Sequence, residues 1–98
     1  MIAIDGEHMK VSGPLTLETA RAAFAVKLPD AAARVVIDLA EVSVVDSAAL
    51  GVLMQWVRQA QQASAQLSFI NVPQNLRSLA DLYDVAGMLP LAPESNPT

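Results

Sequence analysis

The sequence of 98 residues contains no cysteine and only one histidine. Disulfides and thiolate metal sites are therefore excluded, and His8 alone cannot supply the several ligands of a usual zinc site. His8 and Ser47 lie far apart, and no nucleophile-elbow motif surrounds Ser47, so a hydrolytic triad is not predicted. Glycine-rich nucleotide-binding motifs are also absent from the sequence. We therefore expect no metal, no cofactor and no catalytic activity, and we expect His8 to be an exposed strand residue.

Basic residues are also few, with six lysines and arginines against ten acids and a net charge of −4. They are scattered along the chain, which argues against a nucleic-acid partner and against a polybasic membrane patch. No apolar run approaches the roughly 18 residues of a membrane-spanning helix, and the N-terminus lacks the basic region of a secretory signal. We therefore expect a soluble cytoplasmic protein without direct membrane insertion.

Apolar residues, in contrast, make up 53% of the chain. A chain of this length forms one domain at most, and we place that domain at residues 1–91. Residues 92–98 contain two prolines and little to bury, so we expect a frayed tail there. The high apolar fraction predicts apolar surface available to a partner. The sequence leaves open whether the isolated domain forms a homodimer through that surface.

The first part of the chain predicts two strands and a helix. Apolar residues alternate over residues 1–13, which predicts a β-hairpin that ends at Gly13–Pro14. Apolar residues three and four apart then predict an amphipathic helix over residues 17–27, ended by Pro29–Asp30. The apolar stripe of this helix comprises Leu17, Ala20, Phe24 and Leu28.

Two further strands are predicted in the centre of the sheet. Val35–Leu39 is short, rich in β-branched residues and apolar on both faces apart from Asp38, as in a strand that is buried on both sides. Asp38 is predicted near its end, and residues 40–45 are predicted to form a connection. Residues 67–72 predict the second central strand.

Two helices follow these strands. The longer one is predicted from Ser47 to about Ser64, and the shorter one from Pro73, whose fixed φ suits a helix start, to Gly87. The segment Met88–Leu91 is predicted to pack back or to pair. The predicted core stripe of the long helix comprises Leu50, Leu53, Met54, Val57 and Ala60, and a second, lateral stripe comprises Ala49, Val52, Trp56 and Ala63.

The predicted elements follow the order ββαβαβα. Alternating strands and helices imply parallel crossovers, with the helices packed against the sheet. The predicted fold class is therefore α/β, with a mixed sheet of four to five strands and about three helices.

The junction at Asp46–Ser47 is the most informative site in the sequence. An apolar run ends there and a helical pattern begins, and both residue types are favoured helix N-caps. The Ser47 hydroxyl either satisfies a backbone donor at the helix start or acts as a contact point or phosphorylation site. Asp38 and Asp46 could form a carboxylate pair, but a strand-end residue and a helix cap explain them better.

Trp56 admits two interpretations. As part of the lateral stripe, its side chain could pack in the core. Tryptophan is also enriched among the residues that dominate binding interfaces, so it could instead anchor a partner.

Two motifs in this sequence resemble the signature of STAS domains. They are Val35-Val36-Ile37-Asp38-Leu39, and then Asp46-Ser47-Ala48-Ala49-Leu50-Gly51. The family pairs a strand ending in Asp-Leu with a helix start of the form Asp-Ser/Thr-x-x-Leu/Gly. The resemblance continues through residues 67–71 and 76–83 and implies the STAS fold, a mixed sheet with helices on one side.

Two branches of that family are similar to this chain. In bacterial anti-sigma-factor antagonists, a partner serine kinase phosphorylates the serine after the aspartate, which corresponds to Ser47. In the STAS subunit (MlaB-type) of the Mla phospholipid transporter, also found in toluene-tolerance systems, the domain binds and supports the ATPase subunit. That role helps to maintain outer-membrane lipid asymmetry.

Three features make the MlaB-type branch the better match. The chain is short, the segment from Leu79 to Pro90 resembles the "LAxLYxL…LP" ending of that subunit, and Ala49 stands where sigma-regulatory members usually carry glycine. The resemblance implies a non-enzymatic protein that associates with the inner membrane through its ABC ATPase. It implies partner-binding residues at Asp46, Ser47, Ala48, Trp56, Leu82 and Tyr83.

Overall fold

The structure is a computed structural model that describes residues 2–28 and 34–91. Its elements follow the predicted order ββαβαβα, with one short 3₁₀ turn after them. The predicted helix stop at Pro29–Asp30 and the predicted tail at 92–98 lie outside the described residues. The elements are β1 (Ile2–Asp5), β2 (His8–Leu15), α1 (Leu17–Phe24), β3 (Arg34–Val45), α2 (Ser47–Gln62), β4 (Gln66–Ile70), α3 (Gln74–Leu82) and the 3₁₀ turn Ala86–Met88.

The four described strands form one mixed sheet in the order β1-β2-β3-β4. β4, which was predicted over residues 67–72 as a central strand, ends at Ile70 and lies at the outside of the sheet. The predicted hairpin is confirmed, since β1 and β2 are antiparallel, and Gly6 adopts a positive φ of 61° in the turn between them. The pairs β2–β3 and β3–β4 are parallel, as the crossovers through α1 and α2 require. The α/β class and the mixed sheet are therefore as predicted.

The core lies between one face of this sheet and the helices. Met9 and Ile37, which are paired in the sheet, are fully buried, as is Phe69 beside them. Their neighbours His8 and Lys10 point to the opposite face and are exposed, as we predicted for His8. α2 contacts β3, β4 and both other helices, so the helices form a single layer with α2 at its centre.

β3 is much longer than predicted. Residues 40–45 continue the strand to Val45 instead of forming a connection, and Asp38 lies within the strand, not at its end. The reason is that β2 also continues, through Gly13–Pro14 to Leu15, and supplies the pairing partner. The pairing of β2 with β3 shifts register twice, between Lys10 and Ser12 and between Gly13 and Leu15. Pro14 lies in the second of these irregularities, where a missing backbone N–H is tolerated.

α1 is shorter than predicted and ends at Phe24 instead of residue 27. Ala25 and Val26 still bond back to α1, but the chain beyond them bonds to a side chain of α2. The amide of Gln59 accepts a hydrogen bond from the Leu28 N–H at 3.0 Å and donates one to the Val26 carbonyl at 3.0 Å. A helix boundary set by a side chain from a distant element leaves no local signal in the sequence.

The buried surface of α2 is also broader than predicted. Ala49, Val52 and Trp56, assigned to a lateral stripe, are buried, whereas Met54 and Val57 of the expected core stripe are only half-buried. The position of α2 between two other helices explains the difference, because its sides are covered as well as its base.

α3 ends earlier than predicted, at Leu82 and not at Gly87. Asp84 adopts a positive φ of 58°, and the Val85 N–H donates back to the Ala80 carbonyl at 2.9 Å. This pattern is a Schellman-type helix end, in which glycine is the usual residue. The following segment packs back as predicted, with Leu89 buried and Leu91 bridged to the sheet.

We expect Asp84→Gly to raise the free energy of unfolding by roughly 0.5–1 kcal/mol. The substitution removes the strain of a Cβ at positive φ and an acid at the negative end of a helix. Urea unfolding followed by circular dichroism measures the change. Asp84→Ala is the matched control, because it removes the charge but keeps the Cβ. A gain of equal size in both variants would show that charge, and not backbone strain, is the cause.

Candidate functional site at the start of α2

Asp46 joins the first turns of two helices. Its Oδ1 accepts a hydrogen bond from the Ala48 N–H at 2.8 Å, and its Oδ2 accepts one from the Leu17 N–H at 3.0 Å. The first of these bonds is the N-cap predicted for α2. The second places the N-terminus of α1 beside that of α2, at the edge of the sheet where β3 ends. Asp46 is therefore a positioning residue for the whole junction.

Asp38 does not combine with Asp46 into a carboxylate pair. The two residues lie eight positions apart along β3 and the residue that follows it, which corresponds to more than about 20 Å of extended chain. The Asp38 Oδ1 accepts hydrogen bonds from the Ala40 N–H at 2.9 Å and from the Asn71 side chain at 3.1 Å. Both carboxylates therefore hold backbone and side-chain groups in place, as expected for structural residues.

Ser47 is the first residue of α2 and its side chain is exposed. Asp46 supplies the cap, so the serine hydroxyl is not needed for it. Gly51 lies one turn further along the same face and is exposed, and a Cβ added there would meet nothing within 4 Å. With the half-buried Ala48 beside them, these small residues leave the first turns of α2 open to close approach by another chain.

Two large apolar side chains flank this helix start. Leu17 is 77% exposed and Val44 is 54% exposed. We call the group of Leu17, Val44, Ser47, Ala48 and Gly51 the junction surface. Sequence analysis missed its two apolar members, because Leu17 was assigned to the buried stripe of α1 and Val44 to a connection. The high apolar content of the chain was the only signal for them.

Trp56 is fully buried, with no measurable exposure. The core interpretation is therefore the correct one, and the indole does not belong to a surface that a partner could contact. Its Nε1 is also buried and has no hydrogen-bond partner among the described residues. The sequence left both interpretations open, and Trp56 was counted among the partner-binding residues only through the family resemblance.

Leu82 and Tyr83 are exposed at 76% and 53%, together with Met88 at 57%. We call these three residues the α3-end surface. Met88 lines a cavity with Ala60 and Gln61, near the C-terminal end of α2, whereas Ser47 begins that helix. α2 has 16 residues and therefore spans about 24 Å between these two ends. The structure therefore divides the predicted partner residues into two separate surfaces.

The open face of the sheet carries an ion pair between Lys10 Nζ and Glu41 Oε2 at 3.0 Å. The hydrogen bond and the charge of Glu41 raise the pKa of Lys10 above its ordinary value. Because the pKa of Lys10 is higher in the folded protein than in the unfolded chain, the ion pair contributes its full stabilisation at any pH below the ordinary lysine pKa. This contribution is lost only as the pH rises through the raised pKa. Lys10 is therefore charged at neutral pH and available for the ion pair.

The described residues offer little for metal or membrane chemistry. Within residues 2–28 and 34–91, no group of three histidine, cysteine or acidic residues could hold a metal ion. No helix in the same ranges is long and apolar enough to cross a bilayer. The groups that distinguish the junction surface are a hydroxyl, small residues and apolar side chains, which suit contact with another protein.

Comparison with known proteins supports the same family as the sequence motifs. Over residues 1–90 the chain matches the family described as "Mlab, STAS domain". It is also similar to a solved structure of the anti-sigma factor antagonist SpoIIAA in its unphosphorylated form, with a TM-score of 0.61 and 12% identity. That alignment covers 84% of this chain and 81% of SpoIIAA. A search of curated proteins gives no significant match.

The structural similarity to SpoIIAA, at 12% identity, shows a shared STAS fold. The family match covers nearly the whole chain, including both motifs and the junction surface. STAS domains generally serve as binding or regulatory modules. This chain belongs to the MlaB-type STAS domain family.

Proposed function

We propose that this protein is a cytoplasmic accessory subunit of an ABC-type phospholipid transporter. In this proposal the domain binds the ATPase subunit, stays at the inner membrane through that partner and helps to maintain outer-membrane lipid asymmetry. The observation that carries the proposal is the MlaB-type family match over residues 1–90. The junction surface supports it, because an exposed helix start with small residues and two apolar side chains suits a protein partner.

The proposed mechanism is allosteric support of the ATPase. A binding partner shifts a conformational equilibrium only when its affinity differs between the two states. The domain would therefore favour the assembled or active ATPase by binding that state more tightly. No chemistry on Ser47 is required, and its hydroxyl acts as a contact.

The proposed contacts follow from the two surfaces. Ser47 and Ala48 lie in the main contact, and Asp46 fixes their position by capping both helices. Leu82 and Tyr83 form a separate contact at the α3-end surface, and both side chains are exposed. Trp56 contributes to the fold and not to the contact, since it is fully buried.

Ser47→Asp is expected to weaken ATPase binding by roughly tenfold or more, because it adds a second carboxylate beside Asp46 within the contact. Folding should not suffer, since an acid in the first turn of a helix is favourable. Ser47→Ala is the matched control and should bind within a few-fold of the wild type. Titration of the purified ATPase of the same organism measures both. Full-strength binding by Ser47→Asp would remove this residue from the contact.

The exposed Ser47 hydroxyl also favours a second candidate function, that of an anti-sigma-factor antagonist. In that case a serine kinase would be the partner, and phosphate on Ser47 would release it. Ser47→Asp would then mimic phosphate and abolish kinase binding. Mass spectrometry of the protein from its native cell separates the candidates, because only this second function requires phosphate on Ser47.

A further inference from the structure

β3 extends well beyond its neighbour β4. Their pairing ends at Asp38 and Ile70, and Asn71 then turns the chain away with a φ of 54°. The Asn71 side chain donates a hydrogen bond to Asp38 at 3.1 Å, which holds this turn in place. Residues 39–45 therefore have no strand on the β4 side within the described part of the chain. We call residues 39–45 the overhanging edge.

The overhanging edge nevertheless belongs to β3, and on its other side β2 pairs with it, with Ser12 opposite Glu41 and Leu15 opposite Val45. Two β-bulges interrupt this pairing, each with two β3 residues opposite one residue of β2. A strand that adds to an edge already fixed in this way does not have to order the receiving backbone. Main-chain hydrogen bonds along such an edge are a common way to bind an extended peptide.

The other strand edges are less available. The outer edge of β4 is engaged by the chain after α3, where the Phe69 N–H donates to the Pro90 carbonyl at 3.0 Å. β1 offers only four residues. Proteins usually protect exposed edges with proline, charged side chains, β-bulges or very short strands. The overhanging edge has no proline, is longer than β1, and its residues Ser43 and Val44 are exposed. Its protections are Glu41, which pairs with Lys10, and two β-bulges, so an added strand has to follow a bulged edge.

We propose that an extended segment of the ATPase adds to residues 39–45 as a fifth strand. This inference rests on the proposed function, and it specifies how that partner binds. The edge is continuous with the junction surface, because Val44 belongs to both and Ser47 follows directly. The edge is flanked by the acids Asp38 and Asp46. The added segment is therefore neutral or basic and carries an apolar side chain against Val44.

Amide hydrogen exchange of the purified domain, alone and with the ATPase, tests this inference. In the complex, the amides of residues 41–45 that do not pair with β2 should exchange at least about tenfold more slowly, because they gain main-chain partners. The amides of β1 should not change and serve as the internal reference. A complex that forms without new protection at residues 39–45 would overturn strand addition and leave the proposed function intact. If no complex forms, the proposed function and this inference both fail.

Val44→Lys and Val44→Thr provide a matched pair. Lysine disfavours pairing at an edge, whereas threonine keeps the β-branched shape. We expect Val44→Lys to weaken ATPase binding at least about tenfold and to lose the new protection, and Val44→Thr to retain both. Equal binding by the two variants would contradict the proposal. Protection of the same amides in the free domain that rises with protein concentration would show that a second copy occupies the edge, and would also overturn it.

Discussion

Gly51→Arg is expected to reduce binding of the ABC ATPase by about 100-fold or more while leaving the domain at least as stable as the wild type. Gly51 lies in the exposed second turn of α2, and nothing lies within 4 Å of an added Cβ. Replacing a glycine inside a helix with arginine favours the helix by roughly 0.7–1 kcal/mol. The large side chain would, however, block close approach of a partner to Ser47. Titration of the ATPase and urea unfolding measure the two effects separately.

Gly51→Ala is the matched control for this variant. It brings a similar gain in helix propensity but adds only a methyl group, so binding should stay within a few-fold of the wild type. The two variants separate an effect on partner binding from an effect on folding, because both are expected to be stable and only the arginine is bulky. If Gly51→Arg binds the ATPase as tightly as Gly51→Ala, the partner does not approach the first turns of α2.

Trp56→Ala is expected to lower the free energy of unfolding by about 3–5 kcal/mol. Trp56 has no measurable exposure, so its loss would leave a cavity at the centre of the helix layer. A small domain typically has only about 5–15 kcal/mol of stability, so the variant should lose a large share of it and unfold at a clearly lower urea concentration. Urea or thermal unfolding followed by circular dichroism measures the change.

Trp56→Phe separates the structural role of this residue from a role in binding. Phenylalanine keeps most of the buried apolar area and removes an Nε1 that has no partner among the described residues. We expect a loss of less than about 2 kcal/mol and an unchanged affinity for the ATPase. A Trp56→Phe domain that remains folded but no longer binds would contradict the assignment of Trp56 to the core.

The order of the elements was predictable because it follows from local patterns. Alternating apolar residues indicated the hairpin, and helical spacing indicated α1, α2 and α3. The cap at Asp46 was also predictable, because an acid before a helical pattern is a local signal. The STAS motifs lie in these same segments, so the family could be identified from the sequence.

The lengths of the elements depend on distant partners and could not be predicted in the same way. β3 continues to Val45 because β2 continues beside it, and α1 ends early because Gln59 bonds to the chain that follows it. Neither the strand pairing nor the Gln59 hydrogen bond can be recognised from the local sequence. The overhanging edge was hidden for this reason, since its residues were predicted to form a connection.

The candidate site was only partly predictable. Ser47 was identified as an exposed contact candidate at the helix start, and the structure places it there. Leu17 was assigned to the core, although it is 77% exposed, because its spacing fits the stripe of α1 and periodicity does not show how far a stripe is covered. For Trp56 the sequence left open core packing or a partner contact, and the structure buries it because α2 is covered on its sides as well as its base.

The measurement that tests the central claim most directly is a pull-down from the native cell, identified by mass spectrometry. The tagged wild-type domain and its Gly51→Arg and Gly51→Ala variants would be compared. The account predicts that the wild type and Gly51→Ala recover an ABC ATPase together with its permease, and that Gly51→Arg recovers neither. Recovery of a serine kinase instead, or of phosphate on Ser47, would contradict the transporter function and identify a sigma-pathway switch.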